Sequence, residues 1–285
     1  MKKIKIIAVI LIIILSVFLF LMLTVDVKKN ISYGEGERNY LDIYKPRDFS
    51  NTTLSPAILL LHGGGWTAGD KKDVATLGKQ LAKNGYAAVA MNYTFVNGTI
   101  TCYDILEDIF NAISFIKENG ESYQIDTRKI ALIGGSAGGH LALLYAYTYN
   151  SPIEIAFVQS LAGPTNLKDD GYYDGILKDN YNGLMYMMTG VQYDGVNDPP
   201  QEWADLSPIN HVSNLVPPTL LIHGVLDDVV PYTNASALYT KLQDFGAPSH
   251  LVTYENSGHG LGDIDGDEEY FQLFSHYLNT YLPLN

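Results

Sequence analysis

One serine of this chain lies between two pairs of glycines, in the sequence IGGSAGGH. The apolar run KIALIGG before it predicts a strand, and a helix is predicted from Ala137, so Ser136 is placed at a strand-to-helix turn. Residues 134–138 match the pattern G-x-S-x-G, in which a sharp turn exposes the serine hydroxyl above a sheet. Glycine is needed because a bulky residue at Gly134 or Gly138 would collide with the neighbouring strand or helix. Ser136 is therefore a candidate nucleophile.

A second glycine-rich element, HGGGW at residues 62–66, follows the apolar run PAILLL. Glycines at the end of a strand leave backbone N–H groups unshielded. The N–H groups of Gly64, Gly65 and Ala137 are therefore candidate donors to an oxyanion that develops during a reaction, and the Trp66 N–H is a further candidate. The helix start at Ala137 also offers its positive dipole end to that oxygen. The alternative interpretation is a plain glycine turn.

A serine hydroxyl needs a general base, and the base needs an orienting carboxylate. His259, in the loop ENSGHGL after the strand-like run HLVTYE, is the candidate base. His223, at the end of another strand, is the competing one. The segment LLIHGVLDDVVP places Asp227 and Asp228 just after a buried strand, and Asp227 is the preferred acid. The chain order is then Ser136, Asp227, His259: nucleophile, acid, base.

Other groups of titratable residues are assigned structural roles. His62 belongs to the glycine loop, and His140 lies one turn into the helix after Ser136, where packing or solvation is expected. The acidic run DIDGDEE at residues 263–269 resembles a calcium loop, but its glycine comes too early and position twelve would be Phe274. We interpret the run as the acidic first turn of the last helix, with a cation site of another kind as the alternative.

Short apolar runs that are typical of buried strands alternate with helical stretches along the chain. The strands are predicted at residues 40–44, 56–62, 86–93, 129–135, 153–160 and 219–224. The helices are predicted at residues 73–84, 104–119, 137–149, 236–245 and 268–282. This alternation predicts an α/β fold with a mostly parallel central sheet and helices on both of its faces.

The interval from residue 163 to 211 breaks this alternation and is rich in Tyr, Met, Asp and Gly. A cap-like insertion is predicted at about residues 164–210, as a lid or a binding loop. The alternative is a helical excursion that only packs against the edge of the sheet. One domain over residues 31–285 is predicted to hold the sheet and the insertion, behind an N-terminal segment of residues 1–30.

The N-terminal segment has the character of a membrane anchor. Lys2, Lys3 and Lys5 precede an uncharged apolar run at residues 6–25, about long enough to cross a bilayer as a helix. The run does not end in a small-residue cleavage site, so an uncleaved signal anchor is preferred to a cleaved signal peptide. The preceding lysines favour a cytoplasmic N-terminus and a catalytic domain outside the cytoplasm. With cleavage, the domain would be secreted.

The composition excludes some functions. The formal net charge of −13 argues against binding to the phosphate backbone of nucleic acids. The single cysteine, Cys102, excludes an intramolecular disulfide and a cysteine metal cluster. The proportions of 47% hydrophobic and 17% charged residues are those of a globular protein.

From about residue 31 to 282 the chain resembles an α/β-hydrolase of the esterase/lipase group, near its bacterial feruloyl-esterase-like and acetyl-esterase-like members. The resemblance rests on LDIYKP, LLLHGGGWTAGDK, IDTRKIALIGGSAGGHLAL, LSPINHV, IHGVLDDVVP and GHG, in this order. It carries the acid role onto Asp227 through D-x-x-V-P and the base role onto His259 through G-H-G. In that group an Arg often follows the Asn-Tyr pair, whereas MNYTF has Thr94 there.

The resemblance implies hydrolysis of small-molecule carboxylic esters through an acyl-enzyme, without a metal or an organic cofactor. The Tyr/Met-rich insertion and the acidic surface favour a neutral or apolar substrate, such as an acylated sugar. An amide-directed hydrolase, formamidase-like or peptidase-like, would use the same groups and stays open. A surface binding protein with a retained hydrolase fold is the alternative of a different class. The sequence leaves the oligomeric state open.

Overall fold

The apolar runs of the sequence form the strands of one sheet. The computed structural model describes residues 25–47 and 53–284, and within these ranges the sheet has eight strands. They are β1 (Val25–Ser32), β2 (Tyr40–Pro46), β3 (Ser55–Leu61), β4 (Ala87–Met91), β5 (Ile125–Gly135), β6 (Glu154–Leu161), β7 (Thr219–Gly224) and β8 (Ser249–Tyr254). Their order in the sheet is β1-β2-β4-β3-β5-β6-β7-β8. Each predicted strand overlaps one of these.

Helices connect the strands. They are α1 (Ala75–Lys83), α2 (Cys102–Asn119), α3 (Ala137–Thr148), α4 (Tyr181–Thr189), α5 (Gln201–Asp205), α6 (Thr233–Asp244) and α7 (Glu268–Tyr281). Short 3₁₀ helices are formed by Lys71–Val74, Gly120–Tyr123, Asp170–Tyr173 and Pro208–His211. The five predicted helices correspond to α1, α2, α3, α6 and α7, whereas α4 and α5 lie in the insertion.

The sheet is mostly parallel and is covered on both faces, as predicted. All neighbours from β4 to β8 pair in parallel, and only the β1–β2 and β2–β4 pairs are antiparallel. Every residue of β3 is buried. Its alternate residues enter two separate hydrophobic clusters, with Leu59 and Leu61 in one and Ile58 and Leu60 in the other. Because both faces of this strand are buried, its sequence is a continuous apolar run.

The edge strand β1 is absent from the sequence-based prediction, which treats residues 26–54 as a polar stretch with one strand. β1 pairs with β2 from Val25 opposite Pro46 to Ser32 opposite Tyr40. None of its residues is buried, and Lys28 is among its exposed ones. An edge strand of this kind carries polar residues toward solvent, so it lacks the apolar run that marks the inner strands.

The predicted membrane segment, residues 6–25, lies outside the described residues except for Val25, which begins β1. β1 therefore includes residues that the sequence analysis assigned to the N-terminal segment of residues 1–30. Among residues 25–47 and 53–284, no helix combines the length and the apolar character needed to cross a bilayer.

The register of the parallel strands brings the predicted site together. Leu61, the last residue of β3, lies opposite Gly134 of β5, so the two glycine-rich elements leave the sheet side by side. Gly224, the last residue of β7, lies opposite Tyr254 of β8, so the loops that follow these strands are also neighbours. All four loops lie at the carboxyl ends of parallel strands, where open α/β sheets bind ligands.

Candidate active site

Ser136 lies on a sharp turn between β5 and α3. Its backbone has φ 53° and ψ −125°, a region that a residue with a side chain rarely adopts. Such a conformation costs on the order of 1–3 kcal/mol and persists only where the surroundings hold it. Two backbone hydrogen bonds do so, from the Ser136 N–H to the Leu161 carbonyl at 2.7 Å and from the His140 N–H to the Ser136 carbonyl at 3.0 Å.

The glycines on either side of Ser136 are required by close backbone contacts. A Cβ at Gly138 would collide with the carbonyl oxygens of Leu61 and His62 at the end of β3. A Cβ at Gly134 would collide with the carbonyl group of Gly138. These are the collisions with strand and helix that the sequence analysis expects. The glycines therefore form a rigid turn that presents the serine hydroxyl.

The structure brings Ser136, His259 and Asp227 into one hydrogen-bonded chain. The His259 Nε2 atom lies 2.9 Å from the Ser136 Oγ atom, and the His259 Nδ1 atom lies 2.8 Å from the Asp227 Oδ2 atom. Asp227 is buried, whereas Asp228, the alternative acid, is exposed to solvent. In this arrangement a proton on Nδ1 leaves Nε2 free to accept the proton of the serine hydroxyl.

The Asp227 carboxylate is held in the ionised form. Burial alone would raise the pKa of this carboxyl, but hydrogen bonds from His223, His259 and the Val230 N–H hold its pKa well below the ordinary value. The Oδ1 atom accepts the Val229 and Val230 N–H groups, both at 2.9 Å. His223, the competing base, lies against the acid: its Nε2 atom is 3.1 Å from Asp227 Oδ2 and 2.9 Å from the Val230 carbonyl oxygen.

The glycine loop turns back on itself beside the serine. Gly64, Gly65 and Trp66 all have positive φ, of 115°, 55° and 60°. A Cβ at Gly63 would lie 3.4 Å from the Ser136 Cβ atom, so the loop passes close to the nucleophile. Within the described part of the chain, the N–H groups of Gly64, Gly65 and Ala137 have no hydrogen-bond acceptor. They are available to an oxyanion above Ser136.

A guanidinium group that the sequence analysis misses supports this loop. Arg38 donates from Nη2 to the Gly69 carbonyl at 2.9 Å and from Nε to the Tyr93 carbonyl at 2.8 Å, and it lies 3.7 Å above the Phe95 ring. The Tyr93 hydroxyl donates to the His62 carbonyl at 2.8 Å. Arg38 thus contacts Tyr93, the residue before Thr94, and Thr94 occupies the position where the esterase/lipase group often has an arginine.

A cavity of about 440 Å³ opens at Ser136 and His259. Its walls are mostly apolar, and they are formed by Gly64, Gly65, Trp66, Ala137, Pro164, Leu167, Tyr172, Leu177, Tyr181, Leu184, Val229 and Val230. Six of these twelve residues, from Pro164 to Leu184, belong to the insertion. The insertion therefore lines the candidate active site, as the lid or binding-loop interpretation predicts, and does more than pack against the sheet edge.

One buried asparagine fixes the insertion to the rest of the domain. The Asn234 Oδ1 atom accepts the N–H groups of Thr165 and Asn166, both at 2.8 Å, and the hydroxyl of Tyr172 at 3.1 Å. Its Nδ2 atom donates to Asp169 at 3.2 Å. The only signal for Asn234 in the sequence is a glycosylation pattern, which its complete burial makes irrelevant.

The acidic run at residues 263–269 leads into the last helix, and only Glu268 and Glu269 lie in its acidic first turn. The Asp267 carboxylate accepts the N–H groups of Glu269 at 2.9 Å and Tyr270 at 3.2 Å, which caps α7. It also accepts the Tyr254 hydroxyl at 2.7 Å. No group of three or more His, Cys, Asp or Glu residues is arranged to hold a metal ion within residues 25–47 and 53–284.

The sequence model of one protein family, BD-FAE, matches residues 41–242. The chain belongs to the BD-FAE family. A probable carboxylic ester hydrolase of Mycobacterium tuberculosis is 34% identical over 226 residues, which are 75% of this chain and 51% of that protein. A probable isoprenylcysteine alpha-carbonyl methylesterase of Oryza sativa subsp. japonica is 31% identical over 253 residues, 82% of this chain and 57% of that protein. This BD-FAE chain thus spans about half the length of the curated relatives it matches.

A solved structure shows the fold of this family member. The truncated form of a carbohydrate esterase from gut microbiota superimposes with a TM-score of 0.75 and 23% sequence identity. The match covers 90% of this chain and 96% of that one. The BD-FAE chain therefore has the α/β-hydrolase fold that its motifs imply.

Proposed function

We propose that this chain hydrolyses carboxylic esters with Ser136 as nucleophile, His259 as general base and acid, and Asp227 as the orienting carboxylate. One observation carries the proposal: the hydrogen-bonded chain from Asp227 through His259 to Ser136 lies beside free backbone N–H groups at an apolar cavity. Two relatives are named as a probable carboxylic ester hydrolase and a probable methylesterase, and these names support the same reaction class.

The reaction follows from these contacts in two halves. His259 Nε2 takes the proton of the Ser136 hydroxyl as Oγ attacks the ester carbonyl carbon, and the N–H groups of Gly64, Gly65 and Ala137 hold the resulting oxyanion. His259 then returns this proton to the leaving alcohol, and the acyl group stays on Ser136. A water molecule, deprotonated by His259, attacks the acyl-enzyme. The bond between the acyl carbon and Ser136 Oγ breaks as His259 returns this proton to Oγ, so the acid departs and the hydroxyl of Ser136 is restored.

The test compares esters with matched amides on the full-length protein in detergent. p-Nitrophenyl acetate and p-nitroacetanilide carry the same acyl group, so their kcat/KM ratio reports the leaving-group preference. We expect hydrolysis of the ester, with the anilide slower by orders of magnitude. Turnover of the anilide at a comparable rate would favour the amide-directed alternative. A folded protein inactive on a panel of p-nitrophenyl esters would contradict the proposal.

We further propose that the substrate is a small neutral ester, of which an acylated sugar is one example. The hydroxyls of Tyr172 and Tyr181 bond to Asn234 and to the Leu167 carbonyl, so these rings contribute apolar surface to the cavity. Acidic residues outnumber basic ones in the insertion, which disfavours anionic esters at its entrance. A preference for polyanionic esters over neutral ones of equal size would contradict this proposal.

Tyr181 is expected to limit the size of the substrate. Its ring is buried between Tyr172, stacked at 4.4 Å, and the edge of Trp203 at 5.6 Å, so it cannot move aside. We expect Tyr181→Ala to raise the ratio of kcat/KM for octanoate to that for acetate at least about tenfold, because pocket contacts of a few methylenes are worth that much. Chain-length profiles of p-nitrophenyl esters measure the ratio.

Two variants control this prediction. Tyr181→Phe removes the hydroxyl and keeps the ring, so the profile should stay that of the wild type. Tyr173 contacts the edge of Tyr181 but is exposed and outside the cavity wall, so Tyr173→Ala should also leave the profile unchanged. An unchanged profile in Tyr181→Ala would show that the ring does not set the limit.

We also propose that residues 6–24, the part of the predicted membrane segment that precedes β1, anchor the protein in a membrane, with the catalytic domain outside the cytoplasm. The lysines before this segment and its length support the proposal. Fractionation of the cells and protease treatment of intact protoplasts test it, since an outward domain would be digested. Recovery from the medium with a new N-terminus would instead show a cleaved signal, and recovery from the cytosol would contradict both.

A further inference from the structure

Trp66 has a backbone conformation that its surroundings must stabilise. Its φ of 60° is left-handed, which is uncommon and strained for a bulky residue. The main chain supplies part of this support: the Gly64 carbonyl accepts the N–H groups of Thr67 at 3.1 Å and Ala68 at 2.9 Å, and the Trp66 carbonyl accepts the Val96 N–H at 3.1 Å. The contacts of the Trp66 side chain add to these main-chain bonds in holding the glycine loop.

Trp66 is held by a buried histidine on the nucleophile helix. The indole Nε1–H donates to His140 Nδ1 at 3.2 Å, and the two rings meet edge to face at 5.2 Å. The His140 Nε2 atom lies 2.8 Å from the Leu206 carbonyl oxygen, which can only accept, so Nε2 carries the proton. Nδ1 is then free to accept from Trp66. Both side chains are buried, with 4% of Trp66 and none of His140 exposed.

The protonation state of His140 suits this role. Complete burial lowers the pKa of His140 to about 4, so the ring is neutral at neutral pH and Nδ1 remains an acceptor. Its polar ring contacts among the described residues, Trp66 and the Leu206 carbonyl, are uncharged. A protonated ring would point an N–H at the indole N–H and lose the contact.

We propose that His140 is a positioning residue for the oxyanion hole, which acts through Trp66. The hole has two halves on different elements: the N–H groups of Gly64 and Gly65 belong to the loop after β3, and the Ala137 N–H begins α3. His140 lies on α3 one turn after Ala137 and accepts a hydrogen bond from Trp66, the residue that follows Gly65. The contact thus contributes to the distance between the two halves. The inference rests on the proposed ester hydrolysis.

Loss of this contact is expected to weaken transition-state binding more than substrate binding. Removal of a whole oxyanion donor costs about 10²–10³-fold in kcat, so misplacement of the loop should cost roughly 10–100-fold. KM should change by less than about threefold, because the ground-state carbonyl depends less on these donors. A purely structural role would lower the melting temperature and leave kcat of the folded protein unchanged.

The experiment measures kcat, KM, the melting temperature and the inhibition constant of phenylboronic acid, which forms a tetrahedral adduct with the serine. Trp66→Phe removes the indole N–H and keeps an aromatic ring, and His140→Leu removes both hydrogen bonds of the imidazole. His140→Gln retains an acceptor and a donor, so it should recover part of kcat. His276→Leu, at an exposed histidine of α7, is the matched control and should behave as the wild type.

We expect kcat and the affinity for phenylboronic acid to fall together in Trp66→Phe and in His140→Leu. The double variant should have a kcat no lower than that of the less active single variant. Wild-type kcat in folded Trp66→Phe would overturn the inference even if His140→Leu does not fold. Additive losses in the double variant would also overturn it. If instead Ser136→Ala hydrolyses esters as fast as the wild type, the proposed function fails. This result is distinguishable from failure of the His140 inference, in which Ser136→Ala is inactive but Trp66→Phe keeps wild-type kcat.

Discussion

Replacement of Ser136 by alanine is expected to lower kcat for p-nitrophenyl acetate by roughly 10⁶-fold, to the residual rate that binding and the oxyanion hole alone provide. The Ser136 Oγ atom is the group that His259 Nε2 contacts at 2.9 Å. Without it, His259 has no nucleophile to activate, and no acyl-enzyme can form. Initial rates with the purified full-length variant measure the loss.

The fold should tolerate this change. The Ser136 side chain makes its hydrogen bond to His259, and the backbone bonds that hold the turn are main-chain contacts with Leu161 and His140. A melting temperature near that of the wild type would therefore accompany the loss of activity. Ser275→Ala, at an exposed position of α7, is the matched control and should keep full activity. Activity of Ser136→Ala within tenfold of the wild type would exclude Ser136 as the nucleophile.

The change Asp227→Asn is expected to lower kcat about 10⁴-fold while the protein stays folded. The carboxylate accepts from His259 Nδ1 at 2.8 Å and from the N–H groups of Val229 and Val230. An asparagine oxygen can keep the bonds to Val229 and Val230, which leaves its NH₂ group facing His259. That donor favours the tautomer with the proton on Nε2, which cannot accept the serine proton.

The same substitution at the neighbouring Asp228 is the control for Asp227→Asn. Asp228 is exposed, and its side chain lies outside the hydrogen-bonded chain. Asp228→Asn should therefore keep wild-type kcat and KM. The reverse pattern, with an active Asp227→Asn and an inactive Asp228→Asn, would reassign the acid.

The fold was predictable where burial dominates the sequence. β3 is buried along its whole length, so its residues form an apolar run that a strand of a parallel sheet requires. β1 was not predictable in this way, because an edge strand with exposed residues such as Lys28 carries no such run. The short helices α4 and α5 of the insertion were also not predicted: α4 contributes Tyr181 and Leu184 to the cavity wall, and Trp203 of α5 packs against the Tyr181 ring.

The candidate site was predictable where a local backbone demand fixes the residue types. Gly134 and Gly138 flank Ser136 because the turn allows no Cβ there, and this pattern is visible in the sequence. The roles of Arg38 and Asn234 were not visible, because their partners Tyr93 and Thr165 are 55 and 69 residues away in the chain. His140 was expected only to pack or be solvated, and its contact with Trp66 also depends on long-range packing.

The proposed mechanism requires a covalent acyl intermediate on Ser136, which rapid-quench mass spectrometry with p-nitrophenyl acetate detects directly. Formation of this intermediate predicts a pre-steady-state burst of about one equivalent of p-nitrophenol per enzyme. It also predicts an acetyl group on the peptide that contains Ser136, which is absent from Ser136→Ala. Steady turnover with no acylated peptide, or with the acetyl group on another residue, would exclude Ser136 as the nucleophile.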